Sequence, residues 1–305
     1  MKGLTIIIPT LADKEAEPYL RLCLEAIKEV SPEHRIIVAV NGSGAEETQT
    51  NFDGANTMVI KIPEKGQCRA VNRAVELVDT EYMLVINDDM VVSPDWDKPL
   101  LENIEKYKCV SPNLVEPGGG APPFLTPNDF GKTAEKFDAR AWLEFTKTHK
   151  DNIGIEDGYN LPFMTLTEVF KGIGGYDEKY DPSGSNSDPD MMCSMMLAGI
   201  APKRIRTSLV YHFSLGRGSM ERDAGAFWHN WRYFPQKWGF ERDATERIWY
   251  GAGENGTRIP TKERPYISES AAGAGKHPGK DWLEYKPEWM GKYGEPIFGK
   301  GKFYD

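Results

Sequence analysis

Near the start of the chain, strand-length apolar runs alternate with longer stretches that carry a single apolar stripe, and this alternation leaves few folds open. Leu4 to Ile8, Ile36 to Val40, Met58 to Ile62 and Tyr82 to Ile86 are rich in β-branched and aliphatic residues, as strands covered on both faces are. After the first run, behind Pro18, residues Leu20, Cys23, Leu24, Ile27 and Val30 recur at helical spacing; before the fourth, Ala70, Val71, Ala74, Val75 and Val78 do the same. Repeated β-α-β units with short connections imply an α/β protein with a mostly parallel, doubly wound, Rossmann-like sheet. Its ligands are expected beyond the carboxyl ends of the strands. Polar clusters stand at those ends: Pro9-Thr10, Asn41-Gly42-Ser43-Gly44 and Asn87-Asp88-Asp89.

Later signals are coarser. The Pro- and Gly-rich stretch from Ser111 to Asn128 predicts a long loop, followed by a helix over Lys132 to Lys147, short strands near Tyr159 to Thr165, a helix from Met191 to Gly199 and a β-rich run ending at His212. Beyond Phe213 the chain turns Trp-rich and then Gly/Pro-rich. The division expected is a catalytic domain over residues 1–218, with halves 1–110 and 111–218, and a C-terminal extension over 219–305 packed on it.

A net charge of −9 over 305 residues argues against a surface that tracks nucleic acid along its whole length. A local positive face from Arg204, Arg206, Arg217, Arg222 and the segment Lys276 to Lys280 keeps a nucleic-acid acceptor open. Cys23, Cys68, Cys109 and Cys193 lie far apart, which predicts buried free thiols rather than a zinc site or disulfide framework. No apolar stretch reaches the ~20 residues of a spanning helix, and Pro9 ends the first run with no cleavage site after it, so the expected compartment is the cytoplasm.

Several polar groups have two readings each. The paired carboxylates Asp88 and Asp89 suit a divalent ion holding a diphosphate, or else a capped turn. His212 is a structural histidine or a ligand that favours Mn²⁺ over Mg²⁺. Asp188 either caps its helix or acts as general base, with Asp190 orienting the helix start or meeting an acceptor hydroxyl. Lys65, Gly66 and Arg69, with Asn72 beyond, form a phosphate site at a helix N-terminus or simply a solvated start. For Phe227, Trp228, Trp231, Tyr233, Phe234 and Trp238, as for Trp96 and Trp142, packing is favoured over ligand stacking.

In order, TIIIPT, AVNGSG, KGQCRAVNRA, LVINDDMVV, GIGGYDE, SDPDMMCSMMLAG and VYHFSLGRGS together resemble glycosyltransferase family 2, with its GT-A fold, over about residues 1–219. The resemblance implies inverting transfer from a nucleoside-diphosphate sugar to an acceptor hydroxyl on a glycan, lipid-linked glycan, protein or modified nucleic-acid base, assisted by Mn²⁺ or Mg²⁺. It implies that Pro9, Thr10 and Asn41 hold the nucleoside, with Asn41 standing where an aspartate is usual, and that Arg69 and Asn72 lie beside the donor. The DXD-like motif falls on Asn87, Asp88 and Asp89, with Asp89 and His212 as metal ligands and Asp88 facing the donor. Asp188 is then the base, with Ser187 in place of its usual acidic neighbour, and Gly174, Gly175 and Asp177 line the sugar and acceptor pocket. The alternatives are a nucleotidyltransferase or sugar-nucleotide pyrophosphorylase, which would release pyrophosphate, and a non-catalytic sugar-nucleotide-binding scaffold.

Overall fold

A computed structural model describes residues 3–42, 56–118, 126–149, 154–214, 223–238 and 287–296. Strands β1 (Leu4–Thr10), β2 (Arg35–Asn41), β3 (Thr57–Ile62) and β4 (Tyr82–Val85) run parallel in the order β3-β2-β1-β4. Helix α1 (Glu17–Val30) links β1 to β2 and α2 (Gln67–Glu76) links β3 to β4, each burying the stripe that its spacing predicts. β1 is buried along its whole length, which is why its sequence is a continuous apolar run rather than an alternating one.

Past β4 come β5 (Met90–Val92), α3 (Asp97–Tyr107), β6 (Cys109–Glu116), β7 (Thr126–Pro127), α4 (Ala139–Thr148), β8 (Ile155–Asp157), β9 (Phe163–Leu166), α5 (Thr167–Gly172), α6 (Ser187–Leu197), β10 (Lys203–His212) and α7 (Ala224–Trp238). The sheet continues from β4 through β9, β6 and β10 to β5, with β7 on β6 and β8 on β10. β9 is antiparallel to both β4 and β6, while β10 is parallel to β6. β6 and β10 therefore point the same way as the first four strands, giving a mixed α/β fold with a mostly parallel central sheet.

The expected loop from Ser111 is instead strand as far as Glu116. Pro112 reads as a breaker, yet β10 shifts register between Ile205 and Leu209 where Pro112 and Asn113 pair with it, so the missing proline N–H falls at an irregularity. The helix expected from Met191 begins at Ser187, because Pro189 occupies its first turn, where an N–H has no helical partner to lose. The helix expected over Lys132 to Lys147 is a 3-10 turn at Ala134–Lys136 followed by α4, whose start is capped by Asp138.

The four cysteines are free and buried. Trp96, Trp142, Phe234 and Trp238 are buried, whereas Trp228 is 53% exposed. Arg204 is fully buried and, like Arg206, pairs with Glu156, so these two arginines are spent inside the fold and build no positive face. Arg217, Arg222 and Lys276 to Lys280 lie outside the described residues. No helix among the described residues is long and apolar enough to cross a membrane.

Candidate active site

Residues at the carboxyl ends of five strands that share one direction gather on one edge of the sheet: Thr10 after β1, Asn41 after β2, Asn87-Asp88-Asp89 after β4, Glu116 after β6 and His212 after β10. β1 leads to β2 on one side while β4 flanks it on the other, and such a switch point opens a crevice. A cavity of about 320 Å³ lies there, lined by Pro9, Thr10, Asn41, Lys65, Asn87, Asp88 and Asp89. Its remaining wall includes Gln67 and Pro182 to Ser185, with Asp223 at the start of α7.

Hydrogen bonds within the crevice assign several side chains. Thr10 Oγ1 donates to Asp88 Oδ2 at 2.6 Å, joining the ends of β1 and β4. Asn41 Nδ2 donates to the Thr10 carbonyl and its Oδ1 accepts from the Gly66 N–H, both at 2.9 Å. This residue is therefore a staple between β1 and the start of α2 as well as part of the wall. An aspartate there would keep the acceptor and lose the donor.

His212 Nδ1 lies 2.7 Å from Glu116 Oε1, and its Nε2 faces Asp89 Oδ1 at 3.5 Å. Burial disfavours the charged ring, but Asp89 and Glu116 outweigh it and push its pKa up to about 10. Asp89 and Glu116 thus set two carboxylates against one imidazole, an excess of negative charge suited to a divalent ion. The donor set of carboxylate and imidazole fits Mn²⁺. Pro112 and the Gly-rich stretch beyond make β6 read as loop, which hides Glu116 in the sequence; its place at a strand end is the signal that finds it. Among the described residues, the carboxylates and imidazole spaced closely enough to share an ion are those of Glu33, His34 and Asp97; Glu33 and His34 precede β2 and so lie at the opposite edge of the sheet. There His34 and Asp97 form a buried pair at 2.6 Å.

Other expected site residues are turned inward. The start of α2 is closed by Asp181, whose carboxylate accepts from the N–H groups of Cys68 and Arg69 at 3.1 and 2.9 Å, so that helix end already holds an anion from its own chain. Gly66 is required for this approach, since a Cβ there would sit 2.2 Å from Asp181 Oδ2. Arg69 pairs with Glu178 at 3.0 Å rather than facing the cavity. Asn72 bonds the backbone of Tyr176, and Gly175 packs on Asn72 while Gly174 faces Trp289.

Asp190 is 2% exposed and bonded by Tyr180, Lys237 and Trp238, and Asp177 is bonded by Tyr233 and Lys237. Both carboxylates therefore fasten α7 and do not line the cavity. Burial pushes the Asp190 carboxyl up, whereas in Asp177 the Lys237 ammonium overcomes burial and holds the carboxyl low. Asp188 is partly exposed in the first turn of α6, whose N-cap position is held by Asn186 without a side-chain capping bond, and Tyr176 donates to its Oδ1 at 3.3 Å.

Among curated protein sequences none matches this chain. The fold matches S. aureus TarS 1-349 with a TM-score of 0.50 at 13% identity, over 81% of this chain and 69% of that one. GalNAc-T7 with UDP, GalNAc and Mn²⁺ aligns with a TM-score of 0.48 at 14% identity, over 69% of this chain and 43% of that one. The chain therefore spans less than half of the GalNAc-T7 structure. Residues 5–171 match the family model described as Glycosyl transferase family 2, and with more than half its length inside that match, the chain belongs to glycosyl transferase family 2.

Proposed function

We propose that this glycosyltransferase moves a sugar from a nucleoside-diphosphate donor to an acceptor hydroxyl by a single in-line displacement that inverts the anomeric centre. The observation that carries the reading is the convergence of Thr10, Asn41, Lys65, Asp88 and Asp89 on one cavity at the switch point of the sheet. Pro9, Thr10 and Asn41 offer a wall to the nucleoside, and the Lys65 ammonium offers charge to phosphate. Asp89 and His212 would hold a divalent ion, with Glu116 fixing the imidazole so that Nε2 points to the ligand position. Bound there, Mn²⁺ or Mg²⁺ supplies positive charge to the leaving diphosphate.

Asp188 is the general base. The acceptor oxygen forms its bond to the anomeric carbon as the bond from that carbon to the phosphate oxygen breaks; the leaving diphosphate takes the electron pair and Asp188 takes the hydroxyl proton. The test begins with thermal shifts against UDP-, GDP- and dTDP-sugars with and without Mn²⁺, because selective binding raises apparent stability. The bound donor is then assayed for the product released. Free nucleoside diphosphate and a metal-dependent shift are expected, and pyrophosphate or no shift overturns the reading. Asp188→Asn is expected to lower turnover by about 10²-fold or more with donor affinity retained; undiminished turnover removes Asp188 from the role.

A further inference from the structure

Residues that the resemblance places beside the donor are tied instead to the segment leading into the base. Asn72, on α2, makes a two-way bond with one residue of the following half: its Nδ2 donates to the Tyr176 carbonyl and its Oδ1 accepts the Tyr176 N–H, both at 2.9 Å. An amide side chain paired with one residue's N–H and carbonyl fixes that stretch of backbone in direction as well as distance. Gly175 permits the approach, since a Cβ there would stand 2.6 Å from Asn72 Oδ1. The neighbouring pair Arg69 and Glu178 closes the same seam at 3.0 Å.

From that fixed backbone the Tyr176 ring enters the core, 3% exposed, with edge contacts to Phe163 and Phe170. Its hydroxyl reaches Asp188 Oδ1 at 3.3 Å, long for such a pair, as catalytic hydrogen bonds often are before substrate binds. Burial and the Asp188 charge push the phenol well above its ordinary range, so it stays protonated and donates.

We infer that Tyr176 is a positioning residue: held by Asn72, it fixes the rotation of the Asp188 carboxylate, so that a lone pair meets the acceptor proton. This rests on the reading of Asp188 as base. A carboxylate free to turn about its own bond spends less time aligned, which costs rate without touching the donor.

The test is Tyr176→Phe in the full chain, which removes one oxygen and keeps the ring. The readout is nucleoside diphosphate release from the nucleotide sugar selected by the thermal screen. A loss in kcat of about tenfold is expected, with donor KM and Tm unchanged. In an Asp188→Asn background the same change is expected to cost nothing further, because two residues acting through one step are not additive. An unchanged kcat, a loss seen mainly in KM, or equal losses in both backgrounds overturns the inference while leaving Asp188 as base. Full turnover by Asp188→Asn itself overturns the base reading and the inference with it.

Discussion

At the end of β2, Asn41 both lines the cavity and ties β1 to the start of α2. Asn41 stands at a strand end where a nucleoside is expected, and that much is legible; its amide also bridges the Thr10 carbonyl and the Gly66 N–H, a fact of three-dimensional approach. Gly66 and Arg69 look like a phosphate site because a helix begins there, yet Asp181, far along the chain, fills that helix end. Glu116 carries the opposite lesson, since it became visible only with its strand. Its bond to His212 Nδ1 makes a specific prediction: Glu116→Gln is expected to weaken Mn²⁺ binding by about 10- to 100-fold, read by calorimetry on the resting protein. Unchanged affinity would show that the imidazole needs no such partner.

At the level of elements, β1, β2, β4 and the first two helices are readable because each buries a continuous run or a single stripe, whereas β3, at the sheet edge, buries only Ile62 despite its apolar run. Two of the three boundaries that differ from expectation involve proline, in positions where a missing N–H does no harm: Pro112 opposite a register shift, and Pro189 in the first turn of α6. Helix α3 is fastened at its start by Asp97, whose carboxylate meets His34 at 2.6 Å with both groups buried. Burial alone would raise the Asp97 carboxyl, but the bond and charge of His34 outweigh it and hold it low. A carboxyl lowered by folding stabilises above its unfolded value, about pH 4, and that contribution is lost as pH falls through the folded value. Melting curves between about pH 2 and 6 should therefore show an acid-side loss in the wild type that is shallower in Asp97→Asn. Equal slopes would mean that the pair adds nothing to this dependence.

Seen whole, the molecule is organised around α6. Its first turn carries Asp188, which meets the Tyr176 hydroxyl, and Asp190, which enters the core where Lys237 and Trp238 of α7 bind it. Its far end is met by residues 287–296: the Gly291 N–H bonds the Leu197 carbonyl, the Tyr293 N–H bonds the Ala198 carbonyl, and Gly294 packs on Gly199. The described residues on either side of 239–286 thus meet opposite ends of this helix, roughly 12 Å apart at 1.5 Å per residue. About ten Gly/Ser residues span roughly 17 Å on average, enough to close that gap. Replacing residues 239–286 with such a linker is expected to keep donor binding and to leave Tm within a few degrees; a collapse in Tm would mean that the excised stretch holds the core together. A segment whose entry and exit are bolted to the same rod behaves as a cassette. Sequence between those two anchors can change without moving the end of the rod that carries Asp188.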